Sequence, residues 1–97
     1  MTPTDDVIFK RWPNGNVIAA FPAICGNSYD PSTCSSFEHV GQHGAADVGV
    51  MANLRPALPR EYADLKRELE SAPYHYYLRV VRKFTRAHHR QRELECR

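Results

Sequence analysis

Cysteine is scarce in this chain: Cys25, Cys34 and Cys96 are the three among 97 residues. An odd and sparse set does not match the dense, even-numbered disulfide frameworks of small secreted domains. Reduced thiols are therefore expected. The stretch "MTPTDDVIFKRW" carries two aspartates and no run of seven or more apolar residues. That argues against a secretory signal or a membrane span there, and a cytoplasmic protein without a membrane partner is expected. Phosphate-binding signatures are missing as well. "GQHGAADVG", residues 41–49, has neither the glycine pattern that ends in lysine and serine or threonine nor a dinucleotide fingerprint.

What is present suits one folded domain. Apolar residues make up 42% and charged residues 25%, near the globular average, so neither a disordered nor a fibrous chain is indicated. The length leaves no room for two domains. We expect a single domain over 1–84 and a basic C-terminal tail over 85–97. A net charge of +2 conceals an asymmetry: residues 1–48 hold two basic and five acidic side chains, residues 49–97 eleven and six. From residue 79 onward the balance is +5, a face that attracts acidic partners.

Local patterns predict the elements. "VIFKRW" (7–12) and "VIAAF" (17–21) flank Asn14-Gly15, which reads as a hairpin, and Pro22 is expected to end the second strand. Residues 25–36, "CGNSYDPSTCSS", read as a surface loop. "SFEHV" (36–40) and "VGVMANL" (48–54) read as short strands, joined by a glycine-bearing connection over 41–46. Over 58–72 the period changes: Leu58, Tyr62, Leu65 and Leu69 share one helical face, Pro59 suits the first turn and Pro73 ends the helix. Residues 74–84 alternate, with Tyr74, Tyr76, Leu78 and Val80 on a core-facing side and His75, Tyr77, Arg79, Val81 and Lys83 on the other. The expected fold is α+β: a mostly antiparallel sheet of about four to five strands with one amphipathic helix packed on it. The segment after residue 84 is expected to form a short helix or a frayed end, adding charge more than core.

Several constellations bear on chemistry. Cys25, Cys34, His39 and His43 offer two thiolates and two imidazoles, the ligand types of a closed zinc site. Their spacing departs from a zinc knuckle, because eight residues separate the two cysteines, so the reading without metal or other cofactor is preferred. Cys34 with His43, or Cys25 with His39, forms a conceivable nucleophile and base, but such a pair needs contact and a lowered thiol pKa. His39, His43 and Asp47 would align on a helix, which Gly41 and Gly44 oppose. The preferred reading of the central stretch is a connection whose histidines are structural or contact residues. A non-enzymatic protein is expected. Aromatic and basic residues interleaved over 74–84 are the residue types a nucleic-acid surface uses.

"HVGQHGAAD" (39–47), followed by "RPALPREYADLKRELE" (55–70) and a tyrosine-rich basic strand, and preceded by the hairpin "IFKRWPNGNVIAAFP" (8–22), resembles a family of small proteins encoded by phages and other mobile elements. The resemblance implies no catalytic residues and no enzymatic activity. It implies instead a monomeric accessory protein that works by binding, most concretely an inhibitor of a host defence complex, similar in size and lack of motifs to the anti-CRISPR proteins. A pI of about 8.5 disfavours mimicry of DNA. The expected mechanism is a steric block: Arg79, Arg82, Lys83 and Arg86 dock on an acidic surface of a CRISPR effector subunit, with Tyr76 or Tyr77 as anchor. Alternatives are a small nucleic-acid-binding regulator and a zinc-stabilised module.

Overall fold

The alternating apolar residues from Val7 form strand β1 (Asp5–Arg11), which turns back into β2 (Val17–Asn27). The protein is described by a computed structural model that covers residues 4–27, 29–38 and 42–96. The predicted turn is there as the loop 13–15. Trp12 N–H donates to the Asn16 carbonyl (2.8 Å) and Gly15 N–H to the Trp12 carbonyl (2.9 Å). Gly15 takes φ +96°, which a residue without Cβ adopts freely. Asn14 contributes through its side chain, whose Oδ1 accepts the Asn16 N–H at 3.0 Å.

Four expectations between residues 22 and 54 are corrected. β2 does not end at Pro22. The ladder shifts register between Phe21 and Cys25, and the strand resumes to pair with β3 (Asp30–Glu38). An irregularity of this kind tolerates a residue that lacks an N–H, where a regular ladder does not. Residues 25–36 are therefore the end of one hairpin strand and most of the next rather than a loop. The hairpin end is held by Thr33 Oγ1, which accepts the Asn27 N–H and donates to the Asp30 carbonyl, both at 2.8 Å. The expected connection over 41–46 holds β4 (Gln42–Asp47), antiparallel to β3 from Thr33↔Asp47 to Glu38↔Gln42. The expected strand over 48–54 is a helix, α1 (Val48–Asn53), because Asp47 caps it: Oδ1 accepts the Val50 N–H at 3.0 Å. A local cap of this kind outweighs the weak β preference of two valines.

β5 (Arg55–Pro56) then pairs with the end of β1, and α2 (Pro59–Glu70) follows. Glu61 ties the start of α2 down, accepting the Leu58 N–H at 2.8 Å and pairing with Arg11 and Arg55. The predicted Lys66–Glu70 pair forms at 2.9 Å on the helix surface. Only the middle of the last predicted strand is regular, as β6 (Leu78–Val80), which lies parallel to β1 at Asp5–Val7. The chain closes with α3 (Arg86–Glu95).

The fold is α+β, with strand order β4-β3-β2-β1-β5 and β6 sharing the β1 edge with β5. Alternation sends Val7, Phe9, Ala19, Phe21 and Phe37 to one face, where Leu65 and Leu69 of α2 cover them together with Tyr62, Tyr74, Tyr76 and Leu78. Ile8, Ile18, Ala20, Cys34 and Ala46 point the other way, under Met51 of α1 and beside Trp12, Val81 and Phe84. Burying both faces moves β1 and β2 toward the continuous apolar runs typical of central strands, which is how "VIF" and "VIAAF" read.

The segment after residue 84 does more than add charge. Thr85 caps α3, its Oγ1 accepting the His88 N–H at 3.2 Å. Arg92 is 3% exposed, and its Nη1 and Nε donate to the carbonyls of Pro22 (2.6 Å) and Pro31 (3.0 Å). Cys96 forms a disulfide with Cys25, which corrects the expectation of reduced thiols for those two residues. Proximity across 71 positions of sequence is a tertiary fact that a count of cysteines does not carry.

Candidate functional site

Lys10 continues the alternation of Ile8 and sits among core residues, 5% exposed, with its ammonium donating to the Leu54 carbonyl at 3.2 Å. Burial pulls its pKa down. Above it opens a groove of about 540 Å³ lined by Lys10, Leu54, Pro56, Arg82, Lys83 and Phe84. Arg82 and Lys83 are exposed and have no carboxylate partner among the described residues. Their field is therefore directed outward at whatever approaches. Phe84 is half-buried against the second core cluster and forms one apolar wall.

The other predicted contact residues are dispersed. Arg79 grips Asp6 with both arms, Nε to Oδ1 at 2.7 Å and Nη2 to Oδ2 at 2.9 Å. His88 reaches the same carboxylate with Nε2 at 2.8 Å, while its Nδ1 accepts the Thr85 N–H at 3.1 Å. The Arg79 hydrogen bond is the chief reason that the Asp6 carboxyl is held below its ordinary pKa, with His88 adding to it and burial opposing. Asp6 and His88 look like half of a catalytic relay, but both imidazole nitrogens are engaged by the protein, so neither is open to take a substrate proton. The cluster clamps α3 and β6 to β1. Arg86 is exposed at the first turn of α3. Tyr76 lies on the first face, 5.2 Å from the Phe21 ring centroid, with its hydroxyl 3.3 Å from His43 Nε2. Tyr77 is 59% exposed and its carbonyl accepts the Asp5 N–H. Thus Arg82 and Lys83 come together, Arg79 is spent on a structural ion pair, and Tyr76 is packed apart from the groove.

The cysteine and histidine readings take a definite form. Cys25 is bonded to Cys96 and has no thiolate to offer zinc or a substrate. His39 lies outside the described residues. His43 meets Phe37, Tyr74 and Tyr76 edge-on or tilted, with ring centroids 4.8, 5.4 and 6.4 Å away, which makes it a contact residue of the aromatic cluster. Among the described residues no group of three or more His, Cys, Asp or Glu side chains is placed to hold a metal ion. Cys34 is the free thiol, fully buried, and burial pushes its pKa up to about 11. Thiolates, not thiols, react. Native oxidised protein is expected to leave Cys34 unmodified by a thiol-specific disulfide reagent at pH 8 over hours. One equivalent should react at once in denaturant. Fast native labelling would contradict the burial.

Sequence reading missed Lys10, Leu54 and Phe84 as parts of a basic groove. The alternation Ile8, Lys10, Trp12 was the available signal, since it places a lysine on a core-facing side.

Fold and surface together define a small α+β protein whose sheet is covered on both faces and which carries a groove lined by three cations, Lys10, Arg82 and Lys83. Compared with protein-family models, curated proteins and solved structures, the chain gives no match. No helix among the described residues is long and apolar enough to cross a membrane.

Proposed function

We propose that this protein acts by binding, as a phage or mobile-element inhibitor that docks its basic groove on an acidic surface of a bacterial defence complex and blocks access to target DNA. The observation that carries the reading is the pairing state of the cations. Arg82 and Lys83 stand over Lys10 without a carboxylate of their own among the described residues, whereas Arg79 is neutralised by Asp6. Exposed charges of this kind set association rate and orientation. The likeness of residues 39–47 and 55–70 to small phage-encoded proteins supports the choice of a defence complex, with a CRISPR effector subunit as the partner.

The same groove supports a second reading, a nucleic-acid-binding regulator, because phosphates are acidic and Phe84 borders the cations. One variant serves both. Arg82→Glu with Lys83→Glu leaves the Asp6 clamp intact and is expected to fold normally. In a host with an active CRISPR system, the wild-type protein should restore phage plaquing. The variant should not, and its association rate with the purified effector should fall roughly ten- to a hundredfold. Unchanged inhibition by the variant overturns the groove as the docking surface. Binding to labelled DNA or RNA with a steep salt slope, and none to effector, moves the function to the regulator.

A further inference from the structure

A second concavity lies on the α1 side of the sheet and has the opposite electrostatic character. It encloses about 390 Å³ between the end of β3, the β4 backbone and α1. Its apolar walls are Ile18, Met51 and the Trp12 indole, and its charged groups are the carboxylates of Glu38 and Asp47. No cation lines it. Trp12 Nε1 donates to Glu38 Oε1 at 3.1 Å, which holds ring and carboxylate together and leaves Oε2 without a hydrogen bond among the described residues. Ser36 adds a hydroxyl to the floor of the cleft. It is 5% exposed and lines this space, and its hydroxyl makes no hydrogen bond among the described residues. The hydroxyl opens into the cleft, where it is free to exchange a hydrogen bond with a ligand.

We propose that this cleft binds an alkylguanidinium group. A guanidinium is planar and weakly hydrated, stacks on an indole face and carries several N–H donors in a fixed fork. One edge donates to Glu38 Oε2 while another N–H reaches the Ser36 oxygen, and the alkyl stem lies along Ile18 and Met51. The volume suits a ligand of that size. The site is independent of the basic groove, since it selects a cation where the groove selects an anion.

Trp12 is the single tryptophan, so the protein's indole fluorescence comes from a wall of the cleft. The full-length oxidised protein is titrated with n-butylguanidinium, with n-butylurea as the neutral isostere, and with a blocked Gly-Arg-Gly peptide. Saturable change with both cations and none with the urea is expected. Glu38→Gln keeps an acceptor for the indole N–H but removes the charge, and should weaken binding by about tenfold. Ser36→Val fills the floor and should abolish the response with the fold intact by circular dichroism. Tighter binding of the peptide identifies the arginine side chain of a partner as the source, and equal binding a free small cation. An equal response to the urea, no saturable response to the guanidinium, or full affinity in both variants overturns the proposal.

Discussion

Reducing the Cys25–Cys96 disulfide is expected to lower the stability of the protein by about 4 kcal/mol, an estimate from the entropy of closing so long a loop. The bond joins residues 71 apart, so it removes most of the large-scale freedom of the unfolded chain. In a domain of this size such a loss corresponds to a fall in Tm on the order of 20 °C. The native fold should nonetheless persist near 25 °C, because Arg92 and the Asp6–His88 contact still hold α3. Cys34 lies opposite Cys25 in the β2–β3 ladder, so exchange between the two is a real complication. The comparison is therefore made in a Cys34→Ala background, by urea denaturation of the oxidised protein and of Cys25→Ser with Cys96→Ser. Identical midpoints and slopes for the two would mean that the bond does not constrain the unfolded chain.

Arg92→Ala is expected to cost about 3 kcal/mol even with the disulfide intact, because it strips the donors from two carbonyls. The guanidinium sits where β2 leaves its ladder, and it satisfies the Pro22 carbonyl at that break and the Pro31 carbonyl across the hairpin. Burial lowers its pKa, yet the group stays cationic across the accessible pH range. Arg92→Lys should recover only part of the loss, since a single ammonium cannot present the same fork to two separated oxygens. Native-state hydrogen exchange makes the test regional: the amides of α3 and of residues 22–27 should lose protection together in Arg92→Ala. A stability within 0.5 kcal/mol of wild type, the ordinary range for surface substitutions, would show that water replaces the guanidinium without penalty.

These two contacts explain what the sequence concealed. "RAHHRQRELECR" is polar and charged, and its pattern indicates a short helix or a frayed end that contributes charge more than core. Its importance lies in Arg92 and Cys96, which act on residues 61 to 71 positions away. The same limit applies to the groove. Lys83 was legible as a cation, but the arginines differ in a way that sequence cannot show: Arg79 meets Asp6 only because β6 lies parallel to β1. Tyr76 looked like an anchor because aromatic residues are frequent at interfaces, whereas here its ring packs on Phe21 and beside His43.

The central stretch that contains His43, Gly44 and Asp47 shows how local and tertiary information divide. Asp47, which would align with His39 and His43 on a helix, is instead a helix cap, a role set by its position before α1 and decided by one hydrogen bond. β4 has little β preference of its own, and its strand geometry comes from pairing with β3.

Short-range chemistry alone was sufficient for the β1–β2 hairpin, the α2 helix with its Leu65 and Leu69 stripe, and the α+β class, because periodicity and turn residues act within a few positions. The break at Pro22, the clamp at Asp6, the Cys25–Cys96 bond and the two clefts of opposite charge were decided by the assembled chain. Each joins groups from distant segments, and only closure of the sheet between its helices brings them within bonding distance.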